Sequence, residues 1–144
     1  MNSEQLSRVV VVGTSAAGKT TFARELASVR GCPHVELDAL YWGAGWIQAT
    51  DEVFRERTRV ATAGDDWVVD GNYVQVTDLV WPRATAVVWI NLDFPTVFSR
   101  AVKRTFRRIY TREELWAGNR ESLSVLDQDW IPWWVIRTFW RRRR

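Results

Sequence analysis

Val9-Val10-Val11-Val12-Gly13-Thr14-Ser15-Ala16-Ala17-Gly18-Lys19-Thr20-Thr21 is the stretch on which the reading of this chain turns. Four apolar residues in a row have the form of a buried strand, and Gly13 to Thr20 fit G-x-x-x-x-G-K-[ST]. The amphipathic segment that follows places Phe22, Ala23, Leu26 and Ala27 at helical spacing and stops at Gly31. A strand, a glycine-bounded loop and a helix in that order are what binding a polyphosphate requires. Backbone N–H groups of the loop turn inward, and glycines permit the tight backbone and its close approach to oxygen. The helix start favours an anion. Lys19 adds a charge for the β- and γ-phosphates, and the Thr20 hydroxyl is placed to ligate a nucleotide-bound Mg²⁺. The expected nucleotide site is therefore Gly13, Thr14, Ser15, Ala16, Ala17, Gly18, Lys19, Thr20 and Thr21, with ATP and Mg²⁺ as cofactors.

Working outward, 144 residues at 47% hydrophobic support one α/β domain with a sizeable core. The single cysteine, Cys32, cannot form an internal disulfide. The first seven residues are polar and no run approaches the length of a membrane span, so a cytoplasmic protein without a transmembrane segment is expected. Charge is uneven: residues 1–99 carry a net −4 and residues 100–144 a net +7. That basic third suits polyphosphate, a nucleic acid, an anionic membrane surface or solubility alone.

Strand and helix alternate along the chain. Strands are predicted at 8–12, His34 to Leu37, Trp67 to Val69 and Thr85 to Ile90, with helices at 19–30 and Thr50 to Ala63. A further helix begins at Pro95, and Thr111-Arg112-Glu113-Glu114 has the capping-box form of another start. The short continuous apolar runs suit a parallel sheet covered on both faces by helices. Asp38 and Asp70 then fall at the carboxyl ends of adjacent strands, the edge where such sheets bind ligands. Each is a candidate either to ligate Mg²⁺ or to take a proton from an attacking hydroxyl, against the alternative of merely capping the next turn. His34, the lone histidine, has no second metal ligand near it in sequence.

With these segments placed, Leu37-Asp38-Ala39-Leu40-Tyr41-Trp42, Gly45-Trp46, Asp66-Trp67-Val68-Val69-Asp70-Gly71-Asn72-Tyr73, Arg100-x-x-x-Arg104 and Gly118-Asn119-Arg120-Glu121 come into view together. Combined with the glycine-rich loop, they make most of residues 8–125 resemble the small adenylate-kinase-related P-loop kinases. Many of that group carry the label DNA topology modulation protein. The resemblance implies a P-loop NTPase of nucleoside-monophosphate-kinase type and a single domain over 1–144. It also implies a mobile lid-like region near 100–121, followed by an aromatic and basic segment at 122–144. Such folds close with a fifth strand and a terminal helix; no strand-like run follows Ile90, so the chain either ends before that element or replaces it.

The resemblance further implies phosphoryl transfer to a small acceptor, either a nucleoside monophosphate or a hydroxyl-bearing metabolite. Lid arginines would come from Arg100, Arg104, Arg107 and Arg108, with Arg104 and Arg108 the preferred pair because they lie one helical turn apart. Catalytic roles are thus expected for Lys19, Asp38, Arg104 and Arg108, acceptor contacts for Asp38, Trp42, Asp70, Asn72, Tyr73 and Arg120, and Mg²⁺ contacts for Thr20 and Asp70. A second reading is a nucleotide-dependent, DNA-associated regulator working through the basic carboxyl-terminal third. No recognisable DNA-reading motif accompanies it.

Overall fold

The computed structural model describes Leu6 to Arg120 together with Ile136 and Phe139. The rest of the 122–144 segment lies outside the described residues. Four parallel strands form one sheet in the order β2-β3-β1-β4: β1 is Arg8–Gly13, β2 His34–Glu36, β3 Trp67–Asp70 and β4 Ala86–Ile90. Helices α1 (Lys19–Arg30), α2 (Leu37–Tyr41), α3 (Asp51–Ala61), α4 (Thr77–Val80) and α5 (Phe94–Thr111) wrap it. Among the described residues no strand follows β4, and no helix is long and apolar enough to cross a membrane.

Burial follows from the apolar runs. Val9, Val11 and Val68 face Ala23 and Ala27 of α1, while Val10, Val69 and Trp67 meet Phe54 of α3, Val76 and Val80 on the other side. A third cluster of Ala17, Val97, Ala101 and Phe139 seats α5 against the glycine-rich loop. β4 departs from the expectation of cover on both faces. It is the sheet edge, and Val87 and Trp89 on one face remain 47% and 56% exposed.

Two boundaries also differ from expectation. β2 ends at Glu36, so Asp38 lies in the first turn of α2 rather than at a strand end. No helix starts at Thr111: α5 runs through it, Thr111 Oγ1 donates back to Arg107 O (2.8 Å), and Arg112 closes the helix at φ 50°. A hydroxyl spent on the preceding turn cannot cap a new helix. The strand order reverses at β1: the chain leaving it reaches β2 on one side, whereas the chain leaving β3 crosses to β4 on the other. The carboxyl end of β1 is therefore the crevice at which ligands bind in open α/β sheets.

Candidate functional site

The loop of residues 13–18 fills that crevice. At Gly13 (φ 154°) an added Cβ would lie 2.6 Å from the carbonyl oxygen of Ile90, so the position admits only glycine. The Asn72 side chain fixes the same residue from the other side, accepting from Gly13 N–H (3.3 Å) and donating to its carbonyl. Ala16 (φ 63°) and Gly18 (φ 93°) are left-handed, and at Ala16 that costs about 1 kcal/mol. Turns of this hand are the backbone form that gathers N–H groups into an anion-binding hollow. The Lys19 ammonium folds over the loop and donates to Thr14 O (2.9 Å). Thr14, Ser15 and Thr20 are half-buried and Thr21 exposed.

Cavities open on both flanks of the loop. One, of about 680 Å³, is bordered by Gly13, Thr14, Asn72, Tyr73, Trp81 and Trp89 over a floor of Val10, Val12 and Val69. Another, of about 370 Å³, is lined by Gly18, Thr21, Phe22 and Arg100. Arg100 stands close to the loop, its Nη1 3.8 Å from where a Cβ on Gly18 would sit.

Acidic groups gather beside the loop. Glu36 and Asp70 are register partners at the ends of β2 and β3, and Asp38 follows two residues on. Burial pushes the Asp38 carboxyl up; the Tyr73 hydroxyl, which donates to Oδ1, and the charges of Lys19 and Arg104 oppose that shift, while Asp70 reinforces it. Lys19 of α1, Asp38 of α2, Asp70 of β3, Tyr73 and Arg104 of α5 thus share one electrostatic neighbourhood. Glu36 is also pushed up, by burial and by Asp70 and Asp38, against opposing effects from His34 and a hydrogen bond from Trp116. Tyr73 holds its proton well above the usual phenol range because it is buried and faces the Asp38 charge.

Aromatic rings wall this group. Tyr73 lies 4.8 Å from Tyr41, Tyr41 5.1 Å from Trp42, Trp42 5.6 Å from Trp46, and Trp46 6.4 Å from Trp116, centroid to centroid. Trp42 also hydrogen-bonds the Tyr73 side chain. Other expected residues make separate contacts. The amide of Asn72 is spent on Gly13, Arg108 faces Glu113 (4.0 Å), as does Arg107 (3.7 Å), and exposed Arg120 pairs with Glu114 (2.8 Å).

Three residues make contacts that the sequence reading did not assign. His34 Nε2–H donates to Asp70 Oδ2 (3.0 Å). Glu36 was legible in principle, since alternation along β2 puts it on the same face as His34. Buried Asn119 ties the turn at Ala44–Trp46 in place, donating to Gly43 O (2.7 Å) and accepting from Trp46 N–H (3.0 Å); it belongs to the Gly118-Asn119-Arg120-Glu121 stretch noted in the sequence, but no role was expected of it. Among the described residues no group of three or more His, Cys, Asp or Glu could hold a metal ion by itself. Neither a scan against protein-family models nor a search of the curated proteins returned a match.

Proposed function

We propose that the chain is a P-loop phosphotransferase of nucleoside-monophosphate-kinase type, moving the γ-phosphoryl group of ATP·Mg²⁺ to a small acceptor. The observation that carries this reading is the convergence of Lys19, Asp38, Asp70 and Arg104, from four separate elements, beside a glycine-rich loop at the reversal point of a parallel sheet. Phosphoryl transfer asks little covalent chemistry of a protein and much fixed charge.

In this reading the loop amides and Lys19 cradle the donor phosphates, and Arg104, with Arg100 above Gly18, neutralises charge on the phosphoryl group in flight. Thr20 Oγ1 and the Asp70 carboxylate are hard oxygen donors of the kind Mg²⁺ takes. A Mg²⁺ ion held there would complete its shell with water and phosphate oxygens rather than a protein cage, which suits the donor set here, and would supply positive charge against the β- and γ-phosphates. Asp38 takes the proton of a hydroxyl acceptor as the new P–O bond forms and the bond to the β–γ bridging oxygen breaks, releasing ADP. Tyr73 holds one of its oxygens in place. A nucleoside monophosphate attacks through an oxygen already ionised, and would leave Asp38 without that task.

ADP release from ATP·Mg²⁺, measured across nucleoside monophosphates and hydroxyl-bearing metabolites, tests the proposal. Stimulation by any acceptor supports it. Salt-dependent DNA retention without acceptor-dependent ADP release would favour the nucleotide-dependent DNA-associated regulator instead.

A further inference from the structure

His34 pairs with Asp70, and the reading above gives the histidine no task. Asp70 is 2% exposed at the last position of β3, and a carboxylate buried so deeply costs several kcal/mol unless a donor meets it. The donor is His34, reached diagonally across the β2–β3 ladder, where His34 pairs with Val68 and Glu36 with Asp70. The ladder already joins these strands through three register pairs, so the imidazole is not needed to hold them together. Its effect falls on the carboxylate.

The face concerned is the one under α1. Asp70 lies opposite Val11 of β1, and Val9, Val11 and Val68 of that face pack on Ala23 and Ala27. Lys19 and Thr20 occupy the first turn of the same helix. Oδ2 is engaged by His34 at 3.0 Å, and Oδ1 stands outside that hydrogen bond.

We infer that His34 is a positioning residue: it fixes the orientation of the Asp70 carboxylate and so tunes how tightly Mg²⁺ is held with a nucleotide at the loop. This rests on the phosphotransferase reading but reaches a residue that reading does not use. Hydrogen-bond partners of metal-ligating groups set ligand orientation, and their loss costs about 10- to 100-fold in metal affinity.

Calorimetric titration of the whole chain with ADP, first in EDTA and then at rising Mg²⁺, separates the terms without requiring turnover. His34→Ala should leave metal-free ADP affinity within about 2-fold and raise the Mg²⁺ concentration for half-maximal tightening by about 10-fold. His34→Gln retains an N–H donor and should recover most of the difference. If His34 acts through Asp70, the His34→Ala/Asp70→Asn double variant should match Asp70→Asn alone. An unchanged Mg²⁺ midpoint in His34→Ala would overturn the inference. So would a loss of metal-free affinity equal to the loss with metal, which is what a merely structural role produces, or a wild-type ADP affinity indifferent to Mg²⁺. A wild-type chain that binds no ADP under either condition would overturn the phosphotransferase reading itself, and this inference with it.

Discussion

Asp38 is the residue where electrostatics and chemistry meet most closely. Its carboxyl is raised by burial, and a base must be ionised to accept a proton. Turnover on a hydroxyl acceptor should therefore fall as pH drops through a midpoint above the ordinary carboxylate value of about 4. Asp38→Asn should lower that turnover by about 10²-fold or more with ATP affinity nearly unchanged. Rescue of the variant by high Mg²⁺ would reject the base and leave Asp38 as a metal-organising residue. Glu36 makes a complementary case in stability. Its folded pKa is raised, so the stability it contributes is fully present below about pH 4 and is lost as pH rises through the folded value. Glu36→Gln keeps an acceptor for Trp116 and should raise Tm at pH 7, with the gain vanishing near pH 4; thermal unfolding at the two pH values checks this. Lys19 and Asp70 were legible from sequence because a motif and a strand end fix them locally. The partners of Asp70 and Asn72 were not, because a diagonal contact between strands and a side chain reaching back to Gly13 depend on register, which no local pattern records.

At the scale of elements, α5 connects the basic third of the chain to the site. Asp93 caps it, accepting from Thr96 N–H (3.2 Å) and Thr96 Oγ1–H (2.7 Å), and Val97 and Ala101 bury one stripe against Ala17 and Phe139. On that helix Arg104 is half-buried and its charge acts on Asp38, while Lys103, one position earlier, is exposed. Arg104→Ala should cut phosphoryl transfer by about 10²-fold, whereas Lys103→Ala should change it less than about 2-fold; steady-state kinetics on the two variants distinguish a placed arginine from a general basic field. Sequence periodicity located α1, α3 and α5 because each carries its own start signal, as with the Thr50 cap that accepts from Val53 N–H (3.4 Å). It failed at Thr111, where a cap-like pattern sits inside a helix whose own carbonyl claims the hydroxyl. It also missed α2, five residues long, whose helical form owes more to Leu37 in the core and the Tyr41 contacts with Phe54 and Tyr73 than to propensity.

For the whole molecule, the sheet order sets which residues meet. Placing β1 between β3 and β4 brings the loop, Asp70 and the chain entering α5 to one edge, and the return of α2 beside β3 adds Asp38 and the aromatic wall. The site is thus a product of crossovers, although each part is recognisable alone. In the proposed function this edge transfers a phosphoryl group held by the loop, and Lys19 is the charge on which that transfer depends. The most direct measurement is acceptor-stimulated ADP release from ATP·Mg²⁺ by the wild-type chain and by Lys19→Ala, with thermal unfolding confirming that the variant is folded. Stimulation is expected in the wild type, with a loss of at least about 10²-fold in Lys19→Ala. Stimulated release that persists undiminished in the variant would rule out phosphoryl transfer at this loop.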